Sequence, residues 1–343
     1  MFYLLSPMQI QENFSLKHLN TFGIDVSAKY FSVFNNSDNL SELITQHSQL
    51  TAFILGGGSN ILFTKNFDGI VLKNEIKGIE LIKEDAQYVY VKAGAGENWH
   101  QFVLYSLQRN WQGLENLSLI PGNVGASPMQ NIGAYGVEIK DFFYELEAFH
   151  LSEKKVYTFS VNDCGFGYRE SIFKTKLKGQ FVILNVTYRL NKIPKFNTSY
   201  GAIEEELNSM GVTELSAKKI SLAVINIRSS KLPDPAKIGN AGSFFKNPSV
   251  SASRFEELKN EFPLIVGYKN ADGSMKLAAG WMIEQCGWKG FRKGDAGCHS
   301  RQALVLVNYG NASGKEIYDL SEDILQSVQQ KFGVKLEKEV NII

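Results

Sequence analysis

The sequence predicts an α+β fold divided among two or three domains. Three observations carry this. Short strand and helix patterns intermix in the first third, and β-rich runs fill the middle. The prolines of KLPDP (231–235) then separate this region from a second mixed segment. At 343 residues the chain exceeds one ordinary domain of about 100–200 residues.

The elements follow in order. DNLSELITQH (38–47) reads as a helix and TAFIL (51–55) as a buried strand. GIVL (69–72) and QYVYVKAG (87–94) are strands. The helix NWHQFVLYSLQRN (98–110) puts Trp99, Phe102, Val103 and Leu107 on one face, suited to packing on a sheet. FYELEAFHL (143–151), KKVYTFSV (154–161) and QFVILNVTYRL (180–190) predict an antiparallel or mixed sheet. The helix ELSAKKISLAVINIRSS (214–230) leads into the prolines, where a domain boundary is expected. Beyond it lie the helix SRFEELKNEF (253–262) and the strand ALVLVN (303–308). The helix KEIYDLSEDILQSVQQKF (315–332) carries Ile317, Leu320, Ile324, Val328 and Phe332 in one stripe. In VKLEKEVNII (334–343) apolar residues alternate with Lys335, Glu337, Glu339 and Asn341, which predicts a half-buried strand.

Composition narrows the function. Hydrophobic residues are 44% and charged residues 21%, ordinary for a soluble globular protein. A net charge of +1 supplies no global field toward nucleic acid or an anionic membrane, so an anionic ligand needs a local site. Cys164, Cys286 and Cys298 fit neither a disulfide framework nor a zinc signature; they read as buried free thiols, and no metal is expected. MFYLLSPMQIQENF lacks the basic start of a signal peptide, and no apolar run is long enough to span a bilayer. A cytoplasmic protein is expected.

Two glycine clusters stand out. In LGGGSN (55–60) three glycines follow a strand, allowing positive φ and a nest of backbone N–H groups suited to phosphate oxygens. It lacks the following helix of a dinucleotide-binding fingerprint and the lysine of a P-loop, and a tight turn without ligand remains an equal reading. SLIPGNVGASPMQNIGAYG (118–136) has four glycines, two prolines and no charged residue. Together they suggest a large phosphate-containing cofactor held mainly by backbone. In GNAGSFFKNP (239–248), Ser243 is either a small turn residue or a chemically active hydroxyl, and the decapeptide alone favours the turn.

Ten segments in order resemble the UDP-N-acetylenolpyruvoylglucosamine reductase family. They are NTFGID (20–25), ILGGGSNILF (54–63), DGIVL (68–72), IPGNVGASPMQNIGAYG (120–136), FGYRESIF (166–173), KLPDP, GNAGSFFKNP, LAAGWMIEQCG (277–287), RQALVLVN (301–308) and LEKEV (336–340). TSYGAIEEEL (198–207) is similar to the tyrosine-bearing loop of its longer, type I members. The first ten or so residues lie outside the resemblance and are expected to lack order.

The resemblance implies an FAD-binding fold of the vanillyl-alcohol oxidase type, with two α+β subdomains, plus a third, substrate-binding α+β domain. The implied bounds are 12–70 and 71–228 for the subdomains, with a strand in 327–343 returning to the second, and 229–326 for the substrate domain. It assigns to FAD Gly56, Gly57, Gly58, Ser59 and Asn60, then Pro121, Gly122, Gly125, Ala126, Ser127, Gln130, Asn131, Ile132, Gly133, Ala134, Tyr135 and Gly136.

The implied reaction takes a hydride from NADPH onto the flavin, then from the flavin to C3 of the enolpyruvyl group of a UDP-sugar, with a proton at C2. Ser243 matches the proton donor, Arg169 the arginine that binds the substrate carboxylate, and Glu339 the assisting carboxylate. Periodicity alone does not choose between Glu337 and Glu339. Tyr200, Lys231, Asn247 and Gln302 match substrate-binding positions. The implied partners are small molecules only, and the implied state is a monomer. The competing readings are another flavin-linked oxidase of this fold, or a nucleotide-binding module without redox chemistry.

Overall fold

The computed structural model describes residues 8–343, so the expectation of disorder at the N-terminus falls mostly outside the described residues. Contacts divide the chain into two units. Of the described residues, the first holds 8–14, Ala28–Gly57 and Asp68–Ser230; the second holds Ser15–Ser27, Gly58–Phe67 and Lys231–Ile343.

In the first unit a four-stranded sheet runs in the order Gln11–Ser15, Ser27–Phe34, Phe67–Asn74, Ala52–Leu55. Its last pair is parallel, with Phe53 opposite Val71. TAFIL is an edge strand there, and only Leu55 is fully buried, which corrects the expectation of a buried strand. Helix Ser37–Gln46, capped by Asn36, packs Leu40 and Leu43 with Phe34, Ile70 and Leu72.

A second sheet of five strands orders Lys155–Ser160, Phe143–His150, Phe181–Asn191, Tyr88–Gly94 and Ile79–Glu84, antiparallel throughout. Helix Trp99–Gln108 buries Trp99, Phe102, Val103 and Leu107 in one cluster with Val89, Val91 and Tyr188. The polar tips in this core have partners, as burial requires: Trp99 Nε1 donates to the Leu117 carbonyl (2.9 Å), and the Tyr188 and Ser127 hydroxyls bond at 2.7 Å. Helices Gly201–Ser209 and Ala217–Lys231 share a smaller cluster of Ile203, Leu207, Ile220, Val224 and Ile227.

The second unit contains an antiparallel sheet ordered Gly239–Ser243, Val305–Asn308, Ala296–Cys298, Arg292–Lys293. Residues 15–27 are tied to it: Asn308 Nδ2 donates to the Phe22 carbonyl (2.9 Å), and Asn240 N–H donates to the Thr21 carbonyl (3.0 Å). A Cβ on Gly239 would stand 2.1 Å from the Phe22 oxygen, so the close approach requires glycine there.

Helix Gly314–Phe332 buries all five residues of the expected stripe. It starts in a capping box between Ser313 and Glu316 and ends at Gly333 with φ 64°. Ser313→Ala is expected to lower stability by about 1 kcal/mol, measured by urea denaturation.

The C-terminal segment differs from the expected strand. Val334, Leu336 and Val340 are buried while Lys335 and Glu337 are exposed, yet only Asn341–Ile342 is a strand, and it pairs with Ile61–Leu62. Residues 327–332 are the end of a helix, and the expected return to 71–228 is made instead to 61–62. Alternating burial reports which side chains face inward; a ladder also needs a neighbouring strand over its whole length. Here 337–339 run beside 244–246 with a single bridge, Phe245 to Lys338.

Cys164 and Cys298 are buried free thiols whose pKa values burial pushes up to about 12, and Cys286 is free but only partly covered. Among the described residues, no helix is long and apolar enough to cross a membrane.

Candidate active site

Gly57, of the first glycine cluster, meets the second cluster within the first unit. A Cβ on Gly57 would lie 2.9 Å from Gly122 Cα and 2.8 Å from Asn123 Oδ1. Absence of a side chain therefore lets the two loops touch. Gly58 has φ 63°, and its missing Cβ would be 2.0 Å from the Leu19 carbonyl. Among the described residues, the N–H groups of Gly57, Gly58 and Ser59 have no acceptor in the protein. Joined glycine loops with free amides fit a phosphate-bearing cofactor such as FAD.

Several side chains of the second cluster serve the fold itself. Asn131, fully buried, donates from Nδ2 to Glu138 (3.0 Å) and to the Gly167 carbonyl (3.0 Å), and its Oδ1 accepts from Lys140 N–H. Ser127 is bonded to Tyr188. A Cβ on Gly125 would lie 2.6 Å from Ala95 Cβ. At these positions a ligand would be met by backbone.

Arg169, also of the first unit, has φ 55° in a tight turn bridged by Gly167 and Glu170. Its Nη2 donates to the Gly133 carbonyl at 2.7 Å, against the second glycine cluster. Tyr200, exposed at the start of helix Gly201–Ser209, sets its ring edge-on to Tyr135 at 5.5 Å. Arg228, in helix Ala217–Lys231, donates from Nε to the carbonyl of Leu119, in the second glycine cluster, at 3.3 Å. Nothing in the motif set points to Arg228; the surrounding NIRSSK reads as an ordinary helix end.

The second unit carries both Ser243 and Glu339. Ser243 ends strand Gly239–Ser243, partly exposed, and among the described residues its hydroxyl has no hydrogen-bond partner. Phe244 and Phe245 follow it at 0% and 1% exposure and anchor that strand end. Glu339 N–H donates to the Phe244 carbonyl (2.8 Å), and Asn60 Nδ2 donates to the Glu339 carbonyl (3.3 Å). Glu337 differs: its carboxylate pairs with Lys246 at 3.0 Å on the surface.

Asn247 and Gln302 converge on the start of helix Ala279–Gln285. Asn247 Oδ1 accepts from Ala279 N–H (3.0 Å), and a Cβ on Gly280 would lie 3.2 Å from Gln302 Oε1. Lys231 is exposed at the end of helix Ala217–Lys231.

Comparison with known proteins now bears on these sites. A family model described as FAD binding domain matches residues 33–154, a range that includes both glycine clusters. A second, described as the C-terminal domain of UDP-N-acetylenolpyruvoylglucosamine reductase, matches residues 234–343. The chain is 51% identical over 337 residues to the UDP-N-acetylenolpyruvoylglucosamine reductase of Flavobacterium johnsoniae, covering 98% of this chain and 100% of that one. The reductase of Amoebophilus asiaticus is 52% identical at 98% and 100% coverage, and that of Pseudomonas putida 49% at 98% and 99%. A crystal structure of the Thermus caldophilus reductase matches the fold with a TM-score of 0.66 at 23% identity, over 97% of this chain and 98% of that one. Identity near one half over essentially the full length of several relatives, with both domain models in place, is decisive: the chain belongs to the UDP-N-acetylenolpyruvoylglucosamine reductase family and carries its FAD-binding domain.

Proposed function

We propose that the chain reduces UDP-N-acetylenolpyruvoylglucosamine to UDP-N-acetylmuramate with NADPH and bound FAD, as a cytoplasmic monomer in peptidoglycan synthesis. The observation that carries this reading is Ser243, whose hydroxyl has no partner among the described residues, on a strand end fixed by two buried phenylalanines, with the Glu339 N–H bonded to the Phe244 carbonyl. Bound FAD would supply the hydride-transfer chemistry between NADPH and C3 of the substrate.

The protein's own groups manage the charge and the proton. As hydride adds at C3, negative charge grows at C2 and spreads into the adjoining carboxylate. Arg169 holds that carboxylate, where a planar guanidinium stabilises the delocalised charge. Ser243 Oγ gives its proton to C2, completing the saturated lactyl group. Glu339 assists as an acid or by a hydrogen bond to the developing enolate. Tyr200 and Lys231 hold the diphosphate, and Asn247 and Gln302 orient the substrate. The glycine clusters hold FAD through backbone N–H groups.

The test is optical. The purified protein should show flavin absorbance, bleach with NADPH in the absence of oxygen, and regain its colour on addition of the enolpyruvyl substrate. A bound flavin that NADPH does not bleach sinks the proposal.

A further inference from the structure

Two asparagines outside every segment of the family resemblance tie the Tyr200 loop to the second glycine cluster, all within the first unit. Asn116 Nδ2 donates to the Tyr135 carbonyl and to the Asn197 carbonyl, each at 2.9 Å. Both partners are carbonyl oxygens, so both amide protons are used and the amide has a single orientation. Asn197 returns the contact. Its Nδ2 donates to the Gly136 carbonyl at 3.1 Å, and its Oδ1 accepts from Ser199 Oγ at 3.0 Å. Tyr200 follows directly, with its ring edge-on to Tyr135.

The two ends of this latch differ in support. Asn116 is 1% exposed and sits in the short turn Glu115–Leu117, whose Leu117 is fully buried. Just beyond, Ser118 Oγ donates to the Glu115 carbonyl and bonds the Ser221 hydroxyl, each at 2.7 Å, which fixes the turn against helix Ala217–Lys231. The loop end has no such frame. Between Asn191 and Gly201 the described residues form no helix or strand. Among them, no backbone N–H from Ile193 to Tyr200 donates to another backbone group. Phe196 packs on the neighbouring cores, and the two asparagine amides supply the directional bonds. A segment without its own backbone ladder keeps one place only through such side chains.

We propose that Asn116 and Asn197 are positioning residues for substrate binding, which hold the exposed Tyr200 in place against the carbonyls of the cofactor loop. The inference rests on the proposed reductase reading, in which Tyr200 holds the substrate diphosphate. A tyrosine on a free loop must be ordered each time substrate binds, and that entropy is taken from the affinity. A latched tyrosine is ordered beforehand. The diphosphate takes no part in the bond changes at C2 and C3, so it is held equally before and during them. Loss of the latch therefore weakens binding and leaves the chemical step alone.

The experiment uses the full-length protein with FAD bound, as wild type, Asn197→Ala, Asn116→Ala, Tyr200→Ala and the double variant Asn197→Ala with Tyr200→Ala. The Kd of UDP-N-acetylenolpyruvoylglucosamine is read from its perturbation of the oxidised flavin spectrum, and KM and kcat from turnover. Kd and KM are expected to rise about fivefold in Asn197→Ala and about tenfold in Asn116→Ala, the scale of one and two lost hydrogen bonds. Flavin content stays at the wild-type level and kcat within about twofold of it. In the Tyr200→Ala background, Asn197→Ala changes Kd by less than about twofold, because its effect passes through the tyrosine.

Asn116→Ala strips two carbonyls of their donor; should it fail to fold, Asn197→Ala, at a partly exposed residue, decides by the same criteria. A Kd within about twofold of wild type in folded Asn197→Ala, or the same factor in both backgrounds, would overturn the latch alone. So would a loss of flavin or of kcat at unchanged Kd, which would make the asparagines supports of the cofactor loop only. A Tyr200→Ala protein with the wild-type Kd would remove the tyrosine's role and the latch with it, while flavin bleaching by NADPH would still stand for the reductase reading. A wild-type protein that takes up no FAD would overturn that reading itself.

Discussion

Replacing Ser243 by alanine is expected to leave flavin reduction by NADPH near its wild-type rate and to slow turnover of the enolpyruvyl substrate by roughly 10²–10⁴-fold, the contribution typical of a positioned general acid. The asymmetry follows from the proposed division of labour, because hydride enters from NADPH before any proton is needed at C2. Little else should change. The hydroxyl is partly exposed and has no partner among the described residues, so its removal leaves no buried group unsatisfied. The strand end stays fixed by Phe244, whose N–H donates to the Leu304 carbonyl at 2.7 Å. Stopped-flow measurement of each half-reaction separates the cases. Equal loss in both would make Ser243 a structural or cofactor-binding residue.

Gly314→Ala is expected to have the largest effect on stability. Alanine at the first position of a helix is ordinarily favoured over glycine. Here the sign reverses, since the new Cβ would stand 1.7 Å from the Phe63 carbonyl oxygen and near Thr64 Cα. Those are backbone atoms of a segment whose neighbours, Ile61–Leu62, pair with Asn341–Ile342, so no side chain can swing aside. Overpacking of this kind costs about 3 kcal/mol, against about 1 kcal/mol for the adjacent cap residue Ser313. Urea titration of both variants checks the ranking, and a Gly314→Ala protein as stable as wild type would refute it.

Helices were the most legible part of the fold. The stripes at 99–107 and 317–332 repeat at helical spacing and are buried as expected, because a helix needs only its own backbone for hydrogen bonds. Strands need partners that periodicity does not name. TAFIL therefore proved an edge strand, and VKLEKEV stayed extended with little ladder. The glycine clusters stood out in the sequence as candidate ligand loops, but the contact between Gly57 and Gly122 and the internal bonding of Asn131 did not. Family resemblance named Ser243, Arg169 and Glu339. Arg228 escaped because its partner is the Leu119 carbonyl, 109 positions away, at a residue whose left-handed backbone no short motif encodes.

The second unit is assembled from pieces far apart in the chain. Phe22 and Asn308 bond across 286 positions, and Thr64 and Ile343 across 279. During synthesis, residues 15–27 and 58–67 emerge long before the strands and helix that will hold them, while the whole of the first unit precedes Lys231. The order of translation thus lets the first unit mature early, with two unpaired segments kept waiting. Such long closures slow folding more than they weaken the finished structure. Protection of Phe22 and Phe63 during that interval becomes a task for the cell rather than for the fold.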